Sequence, residues 1–265
     1  MAKTKDFNGR WALITGASAG IGVALARELA RFGAKLILTA RRKDRLDALA
    51  GELRGTGVEI RTVTADLNDP SAAQQVYDAT EGAGLPVDIL INNAGLGQFG
   101  AFRENPIEQE VGQVRVNCEA VVHVARLFVL RMIERRRGWV LITASTASFQ
   151  PMPYFSTYAA TKAFDRFFAL GLAEEVKRFG VKVTALCPGP TESEFFDVAR
   201  AGILRRGVQS AEDVARIGVA ALARGKRTII PNLMGRTAAF AVRLAPVTLI
   251  TSVIERFARP ASPSA

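Results

Sequence analysis

Short apolar runs alternate with longer amphipathic stretches along this chain of 265 residues. The runs at Trp11 to Thr15, Lys35 to Thr39, Val58 to Thr64 and Val87 to Ile91 read as strands, and the first of them reads as buried. The stretches between them repeat apolar residues at the three- and four-residue spacing of helices. The alternation continues to Ile230 and predicts an α/β fold, a doubly wound parallel sheet of seven strands with helices on both faces.

A glycine-rich turn follows the first run and leads into a helical pattern. Its residues are Gly16, Ala17, Ser18, Ala19, Gly20, Ile21 and Gly22. Glycines let the backbone approach a pyrophosphate closely, and the N–H groups and dipole of the following helix stabilise the negative charge. The spacing is one residue wider than the common dinucleotide fingerprint. The turn predicts a phosphate site, and a glycine turn without a ligand is the alternative.

Each of the next three runs also ends in a polar or small motif. These motifs are Ala40-Arg41-Arg42, Ala65-Asp66-Leu67 and Asn92-Asn93-Ala94-Gly95. The carboxyl ends of parallel strands meet at one edge of a sheet, so one cofactor can contact all of them. We expect Asp66 to bond an adenine amino group and Asn93 to Gly95 to lie against the adenosine ribose. A helix N-cap and an ordinary turn are the alternatives.

Three side chains further along form a candidate proton-transfer group. Tyr158 and Lys162 are four residues apart within a predicted helix from Thr157 to Arg178, and Ser145 ends an apolar run before it. Residues i and i+4 share a helix face, so the lysine ammonium lies one turn from the phenol. A nearby cation favours the phenolate, which would lower the phenol pKa. A surface tyrosine packed along a lysine stem is the alternative.

Six motifs in this order resemble the short-chain dehydrogenase/reductase family. They are Thr15 to Gly22, Asn92 to Gly95, Asn117 in V-R-V-N-C, Ser145, Tyr158 to Lys162 and Cys187 to Thr191. The resemblance extends to about residue 230. It implies a single Rossmann-type domain over residues 1–265, strand order 3-2-1-4-5-6-7, a nicotinamide cofactor, and hydride exchange with a carbonyl or alcohol.

The resemblance also implies roles for individual residues. Tyr158 resembles the family's general acid/base, and Lys162 the residue that lowers the tyrosine pKa and binds the nicotinamide ribose. Ser145 resembles the hydroxyl that orients the carbonyl. Asn117 resembles the residue that holds a water connecting Lys162 to solvent. The nicotinamide end is expected to meet Pro188, Gly189 and Thr191, with Thr191 at the carboxamide.

The residues after the second run indicate which nicotinamide cofactor is preferred. An NAD enzyme places a carboxylate there, whereas this chain has Ala40 followed by Arg41 and Arg42. Arg41 can pair with a 2′-phosphate, Arg42 can flank the adenine, and Ser18 can add a donor. Solvated arginines at a helix start are the alternative. We therefore expect NADP(H).

Substrate contacts are expected from two segments. The variable loop at 191–207 offers Phe195, Phe196, Val198, Ile203 and Leu204. The opposite wall is expected to comprise Gln150, Met152, Tyr154 and Phe155. Few charged groups occur in either segment, which favours a bulky or apolar carbonyl compound. The alternative is that these side chains pack against the core or a partner subunit.

The chain departs from the family's common short ending by a helical extension at 233–258. Two apolar helical patterns, Arg236 to Ala245 and Val247 to Phe257, are separated at Pro246 and carry several arginines. Each is too short to span a membrane. We rank a cover over the substrate pocket first, a subunit interface second, and a helix lying on an anionic membrane third.

Composition bears on partners and location. The formal net charge is +10, but the basic clusters fall at helix ends without interleaved aromatics, so no specific nucleic-acid function is expected. Cys118, Cys187 and the single His123 show neither metal nor disulfide spacing, so no metal is expected. No leader pattern precedes the first strand, and a cytoplasmic location is expected.

The predicted helix that contains Asn117 is apolar around much of its circumference. Val121, Val122, Val124, Leu127 and Leu130 exceed what one sheet-facing stripe needs. We therefore expect a homodimer or homotetramer. A catalytically silent NADP(H)-binding regulatory protein on the same fold remains the alternative function.

Overall fold

The computed structural model describes residues 6–199, 201 and 208–260 of the chain. Its centre is a sheet of seven parallel strands in the order β3-β2-β1-β4-β5-β6-β7. The strands are β1 Trp11–Thr15, β2 Lys35–Ala40, β3 Ile60–Thr64, β4 Val87–Asn92, β5 Gly138–Thr143, β6 Val181–Leu186 and β7 Thr228–Ile229. The predicted fold class and strand order are confirmed.

Helices cover both faces of this sheet. They are α1 Gly20–Arg31, α2 Lys43–Arg54, α3 Ala72–Asp78, α4 Ile107–Val114, α5 Ala120–Glu134, α6 Ser156–Val176, α7 Phe195–Val198, α8 Ala211–Ala223, α9 Leu233–Ala241 and α10 Val247–Ala258. Helices α1, α2 and α8 contribute to the core on one face, and α3, α5 and α6 to the core on the other. The order of the strands changes direction at β1, since β2 and β3 lie on one side of it and β4 on the other. Ligands bind at such a point in parallel sheets, and here the glycine turn lies beside it.

Successive side chains of β1 are buried on alternate faces of the sheet. Leu13 and Ile14 are adjacent and fully buried, yet they belong to opposite cores. Successive side chains of a strand point to opposite faces, so a strand buried on both faces must be apolar throughout. Each such side chain stabilises the fold by about 1.5–3 kcal/mol relative to exposure. The central strands therefore hold the ligand edge rigidly.

The helices that contain Tyr158 and Asn117 differ from the predicted ones in their boundaries. Helix α6 ends at Val176 and continues as a 3-10 turn, Lys177–Phe179, which Gly180 closes with φ +78°. The helix expected around Asn117 is interrupted by a π turn, Arg115–Glu119, in which the amide of Ala120 bonds the carbonyl of Arg115. One extra residue per turn is accommodated there, as often happens beside functional sites.

The C-terminal extension forms two short helices. Helix α9 begins three residues before the expected start at Arg236 and ends at Ala241. Its cap is the side chain of Asn232, which accepts from the amide of Gly235 at 2.7 Å. Pro246 disfavours helical backbone in the residue before it, so α10 begins as a separate helix. Within the described ranges, no helix has the length and apolar character needed to cross a bilayer.

Candidate active site

A cavity of about 430 Å³ lies at the carboxyl edge of the sheet. It is lined by the residues that follow β1, β2, β3, β4, β5 and β6, by one face of α6 and by the start of α7. The glycine turn and the two arginines lie toward one end, and the tyrosine, lysine and serine toward the other. The strand-end motifs therefore converge on one site, as parallel-sheet geometry requires.

The glycine turn is shaped for close approach. Gly16 and Gly20 have φ of +67° and +52°, in the left-handed region that other residues rarely adopt. A Cβ on Gly22 would lie 2.2 Å from the carbonyl oxygen of Gly16. Ala19 caps α1 without a side-chain hydrogen bond, and no acidic residue occupies the first turn. The first amides of α1 are thus available to an anion.

A threonine that the sequence reasoning missed holds the Asn-Asn-Ala-Gly turn in place. The Thr15 hydroxyl accepts from the amides of Asn93 at 2.9 Å and Ala94 at 3.0 Å. The Asn93 side chain donates to the Thr15 carbonyl at 3.1 Å and accepts from the Thr143 hydroxyl at 3.2 Å. The end of β4 is therefore tied to β1 and β5. The only signal for Thr15 in the sequence is that it is a polar residue at the end of a buried strand.

The arginine end of the cavity is exposed and includes an unpredicted carboxylate. Arg42 donates to the Ser18 hydroxyl at 3.2 Å and to Glu194 at 2.9 Å, and Arg45 also bonds Glu194. These arginines, Arg45 first, lower the pKa of Glu194. Arg41 is 59% exposed, with Asp66 at 3.9 Å. Glu194 belongs to the predicted substrate loop, so that loop reaches across to the adenosine end.

Asp66 also closes a local turn. Its carboxylate accepts from the amide of Asn68 at 3.0 Å, leaving its second oxygen toward Arg41. This is a local Asx-type turn and not the helix N-cap that the sequence left as the alternative, because the next helix, α3, begins at Ala72. The residue nevertheless lines the cavity, so a bond to adenine stays a prediction.

At the other end, Tyr158 and Lys162 are buried on one face of α6. The Lys162 ammonium donates to the carbonyl of Thr143 at 2.7 Å and lies 6.0 Å from the centre of the Tyr158 ring. Ser145, just beyond β5, accepts from the amide of Ala147 at 3.1 Å, and it lowers the pKa of the Tyr158 phenol. Main-chain contacts thus hold the side chains of Lys162 and Ser145.

The acid strength of Tyr158 differs from the expectation. Burial raises the pKa of its phenol above 10.0, and the opposing effects of Lys162 and the Ser145 hydrogen bond do not offset it. Phe155 stacks on the ring at 4.3 Å and Phe195 lies at 5.2 Å, which excludes water. Lys162 lowers this pKa as predicted, but burial outweighs its effect and the net pKa is raised. The neutral, proton-donating phenol is the resting form.

Lys162 has a second buried partner, Asp165. The carboxylate accepts from the ammonium at 2.9 Å, and the side chains are 5% and 1% exposed. Burial lowers the pKa of Lys162, but the nearby Asp165 and Tyr158 reverse this effect and the net pKa is raised. Burial raises the pKa of Asp165 to about 6, against the opposing attraction of Lys162. The other oxygen of Asp165 has no hydrogen-bond partner.

Asn117 lies behind the cavity on the π turn and is fully buried. Its side chain accepts from the amide of Leu96 at 2.8 Å and donates to the Leu96 carbonyl at 2.8 Å and the Thr161 hydroxyl at 2.9 Å. A Cβ on Gly95 would lie 3.3 Å from the Lys162 nitrogen and 3.5 Å from the Asn117 oxygen. The asparagine thus positions the loop that passes over the lysine.

Aromatic side chains close the catalytic end. Phe195 packs over Gly97, where a Cβ would lie 2.5 Å from the phenyl ring. The remaining lining residues of this end include Gln150, Met152, Phe155 and Val198. This wall is apolar, with Gln150 as a polar exception. The side chain of Phe196 and the residues Ile203 and Leu204 lie outside the described residues.

Tyr154 does not join the wall to which it was assigned. Its backbone has φ +63°, and its hydroxyl donates to Glu255 of α10 at 2.8 Å. Its ring packs at 6.4 Å from Phe99, on the outer side of the aromatic cluster. Among the described residues predicted as substrate contacts, Tyr154 alone is absent from the cavity lining. It links the catalytic wall to the C-terminal extension instead.

Comparison with known proteins adds a family to this geometry. The family model for short chain dehydrogenase matches residues 10–203, which include the glycine turn, Ser145, Tyr158 and Lys162. The chain belongs to the short chain dehydrogenase family. The match ends before α8, β7, α9 and α10, so the family model of this dehydrogenase does not describe the extension.

Three relatives show how far the similarity of this dehydrogenase extends. Very-long-chain 3-oxoacyl-CoA reductase of Anas platyrhynchos is 35% identical over 187 residues, covering 68% of this chain and 59% of its own length. The 1-deoxy-11-beta-hydroxypentalenate dehydrogenase of Streptomyces exfoliatus is 36% identical over 228 residues, covering 84% and 83%. A solved short-chain dehydrogenase from Sphingobium yanoikuyae in complex with NADPH has TM-score 0.82 and 31% identity, covering 97% and 98%. This chain thus spans about three fifths of the first relative and nearly all of the third.

All of the individual residues predicted to bind the cofactor of this dehydrogenase line the cavity. Those lining it are Gly16, Ser18, Ala19, Gly20, Ile21, Gly22, Arg41, Arg42, Asp66, Leu67, Asn93, Ala94, Gly95, Tyr158, Lys162, Pro188, Gly189 and Thr191. Thr191 is buried there and donates to the Gly189 carbonyl at 2.9 Å. Contact between these residues and a cofactor stays a prediction.

The sequence reasoning missed three side chains at the site of this dehydrogenase: Thr15, Asp165 and Glu194. Asp165 stands one helical turn after Lys162, so an i, i+3 charge pair was visible in the sequence. Glu194 gave no local signal, because its arginine partners are about 150 residues away in the chain. Asp165 could have been predicted from its spacing, whereas Glu194 could be placed only once the fold was known.

Proposed function

We propose that the chain is an NADP(H)-dependent oxidoreductase that exchanges hydride between the nicotinamide and a carbonyl or alcohol carbon of an apolar substrate. The observation that carries the proposal is one cavity with Tyr158, Ser145 and Lys162 at one end and the glycine turn with Arg41 at the other. A dinucleotide joins two such ends. The family membership and the NADPH-bound relative support it.

The adenosine end fits a phosphorylated dinucleotide. The uncapped amides at Ala19 and Gly20 suit a pyrophosphate, and a side chain on Gly22 would collide with the turn. Ala40 stands where a carboxylate would favour a ribose hydroxyl, and the exposed guanidinium of Arg41 can pair with a 2′-phosphate. These residues support NADP(H) over NAD(H).

When bound, the cofactor supplies hydride at C4 of its reduced nicotinamide. The chain's own residues manage the charge and the proton. Ser145 orients the substrate carbonyl by a hydrogen bond, and the neutral phenol of Tyr158 donates its proton to the oxygen as charge develops there. Lys162, held charged by Asp165, stabilises the tyrosinate that remains. The raised pKa of Tyr158 keeps the phenol neutral and so favours its role as the proton donor.

An apolar substrate is supported by the wall beside Tyr158. Phe155, Phe195, Met152 and Val198 line the catalytic end, with Gln150 as a polar contact. A relative that covers most of this chain's family region is named very-long-chain 3-oxoacyl-CoA reductase. Both observations favour a bulky ketone or a long 3-oxoacyl thioester over a sugar or hydroxy acid.

Association into a homodimer or homotetramer and a cytoplasmic location complete the proposal. Helices α5 and α6 expose large apolar side chains on the faces away from the sheet. These are Val122, Leu130, Phe164 and Phe167. An apolar face of that kind supports pairing of these helices between subunits.

The deciding experiment is an assay with NADPH and a panel of bulky ketones and 3-oxoacyl thioesters of increasing length, followed by nicotinamide absorbance. We expect turnover that rises with apolar substrate size and is faster with NADPH than with NADH. NADPH binding without turnover on any member of the panel would instead favour the silent regulatory protein.

A further inference from the structure

The C-terminal helices α9 and α10 bury little of their apolar surface. Only Gly235, Ala239 and Ala258 are buried across both helices. The exposed large apolar residues here are Leu233, Met234, Phe240, Leu244, Val247, Leu249, Val253 and Phe257. Scattered exposed apolar residues are ordinary, but this density on one short segment marks an interaction surface.

Helix α10 has two apolar stripes with different environments. Ile254 and Ala258 pack on the aromatic cluster that contains Tyr158. Leu249, Val253 and Phe257, spaced four residues apart, form an adjacent stripe that stays exposed. The helix is thus anchored to the protein by one stripe and presents the other outward. A contact with the core cannot explain the second stripe.

Positive charge surrounds this apolar surface. Arg236, Arg243 and Arg256 form no ion pair with any residue in the described part of the chain. The one acidic residue between 231 and 260, Glu255, is engaged by the Tyr154 hydroxyl and by Arg259. Nothing acidic remains there to neutralise the arginines.

We propose that α9 and α10 form an interfacial docking surface for an anionic lipid bilayer, lying in the plane of the headgroups. Apolar side chains among unpaired arginines match what such a surface binds, and the net charge of +10 adds long-range attraction. A second copy fits less well, because a symmetric contact would bring the same arginines face to face. This reverses the order in which the sequence ranked the membrane role.

The position of α10 would bring the docked surface close to the substrate wall. The helix packs on the apolar end of the cavity and is tied to Tyr154, so the docked face adjoins the substrate wall. An apolar substrate dissolved in the bilayer would then be concentrated beside the cavity. Docking itself is independent of the proposed activity and can be measured without turnover.

The test is co-sedimentation of the full chain with vesicles of phosphatidylcholine alone or mixed with phosphatidylglycerol. We expect binding to the anionic vesicles that weakens as salt rises, and little binding to the neutral ones. The triple variant Leu249→Asp, Val253→Asp, Phe257→Asp should lose most of this binding. Phe102→Asp, at an equally exposed phenylalanine on the body of the protein, is the matched control and should bind as the wild type does.

A second variant keeps the test independent of folding in α10. Arg236→Gln, Arg243→Gln, Arg256→Gln leaves the apolar stripe intact and should weaken binding to anionic vesicles by on the order of 100-fold. Wild-type protein that ignores anionic vesicles, or an aspartate variant that binds them unchanged, would overturn the proposal. A third result would also overturn the proposal: the wild type is oligomeric and does not bind vesicles, and the aspartate variant is monomeric. A second copy of the chain would then cover the surface.

Discussion

The two ends of the cavity are built in opposite ways. At the catalytic end, Tyr158, Lys162 and Asp165 are buried, and the Lys162 ammonium is hydrogen-bonded to Thr143 and Asp165. At the adenosine end, Arg41 is exposed and Arg42 is half-buried, and their partners include the exposed carboxylates of Asp66 and Glu194. Buried charges interact strongly and move little, whereas exposed pairs are screened and exchange readily.

The difference separates what each end determines. The buried end sets the protonation states on which the reaction depends, and it does so before any ligand arrives. The exposed end can exchange Glu194 for a ligand phosphate on Arg42 at little cost, because both partners are solvated. Changes at the first end should therefore alter the chemistry or the stability, and changes at the second should alter cofactor affinity alone.

The largest effect is expected from Tyr158→Phe. The variant removes the proton donor while keeping the ring that packs on Phe155, so kcat should fall by about 10³-fold with cofactor affinity nearly unchanged. Steady-state kinetics and NADPH fluorescence titration measure the two quantities. Tyr154→Phe is the control, since its hydroxyl contacts Glu255 outside the cavity. A Tyr158 variant that keeps most of its activity would show that another group donates the proton.

Asp165→Asn should improve stability and harm catalysis. The folded-state pKa of about 6 lies above the ordinary 3.8, so the unfolded chain loses this proton first and stability falls as pH rises between these values. Replacing the acid by its amide removes that loss, which is worth up to about 3 kcal/mol at pH 7. Chemical denaturation at pH 4 and pH 7 measures it. We expect the two proteins to diverge only at the higher pH.

The exposed pair Asp213 and Arg216 is the control for that prediction. Arg216 lowers the pKa of Asp213, so its ionised form stabilises the fold and Asp213→Asn should slightly destabilise it at pH 7. The two asparagine variants should thus shift stability in opposite directions. A loss of stability in Asp165→Asn would mean that the ion pair with Lys162 outweighs the burial of the carboxylate.

Arg41→Ala tests the exposed end. Losing a guanidinium that pairs with a 2′-phosphate should weaken NADPH binding about tenfold and leave NADH binding unchanged. Isothermal titration with both cofactors measures the ratio. Arg103→Ala, an exposed arginine away from the cavity, provides the matched control. Equal weakening for both cofactors would show that Arg41 contacts something other than the 2′-phosphate.

The smallest effect is expected from Glu194→Gln. Its carboxylate competes with a ligand phosphate for Arg42, so the amide should tighten NADPH binding a few-fold. The same titration detects it, and the gain should shrink at high salt because exposed charges are screened. Weaker binding in this variant would indicate that Glu194 closes the loop over the cofactor rather than competing with it.

The parts of the fold that the sequence predicted correctly are those with local causes. Strands β1, β2 and β4 are largely apolar, β3 is rich in β-branched residues, and each ends in its own motif, so period and turn chemistry sufficed for the fold. The strand-end residues could be placed at one edge because parallel sheets bring those ends together.

What could not be predicted depends on packing between distant segments. The net pKa of Tyr158 follows from rings at positions 155 and 195 that exclude water, which a spacing argument does not include. Glu194 meets Arg42 only because the loop after β6 folds back toward β2. The outward orientation of Tyr154 depends on Glu255, about 100 residues later in the chain.

A deuterium label on the cofactor tests directly whether hydride passes from the nicotinamide to the substrate carbonyl. The protein is incubated with NADPH carrying deuterium at both C4 positions of the nicotinamide and a long-chain 3-oxoacyl thioester, and the product is analysed by mass spectrometry. We expect a 3-hydroxyacyl product with one deuterium on the former carbonyl carbon, formed about 10³-fold more slowly by the Tyr158→Phe protein. A hydroxyl product formed without deuterium, or formed equally by the variant, would contradict it.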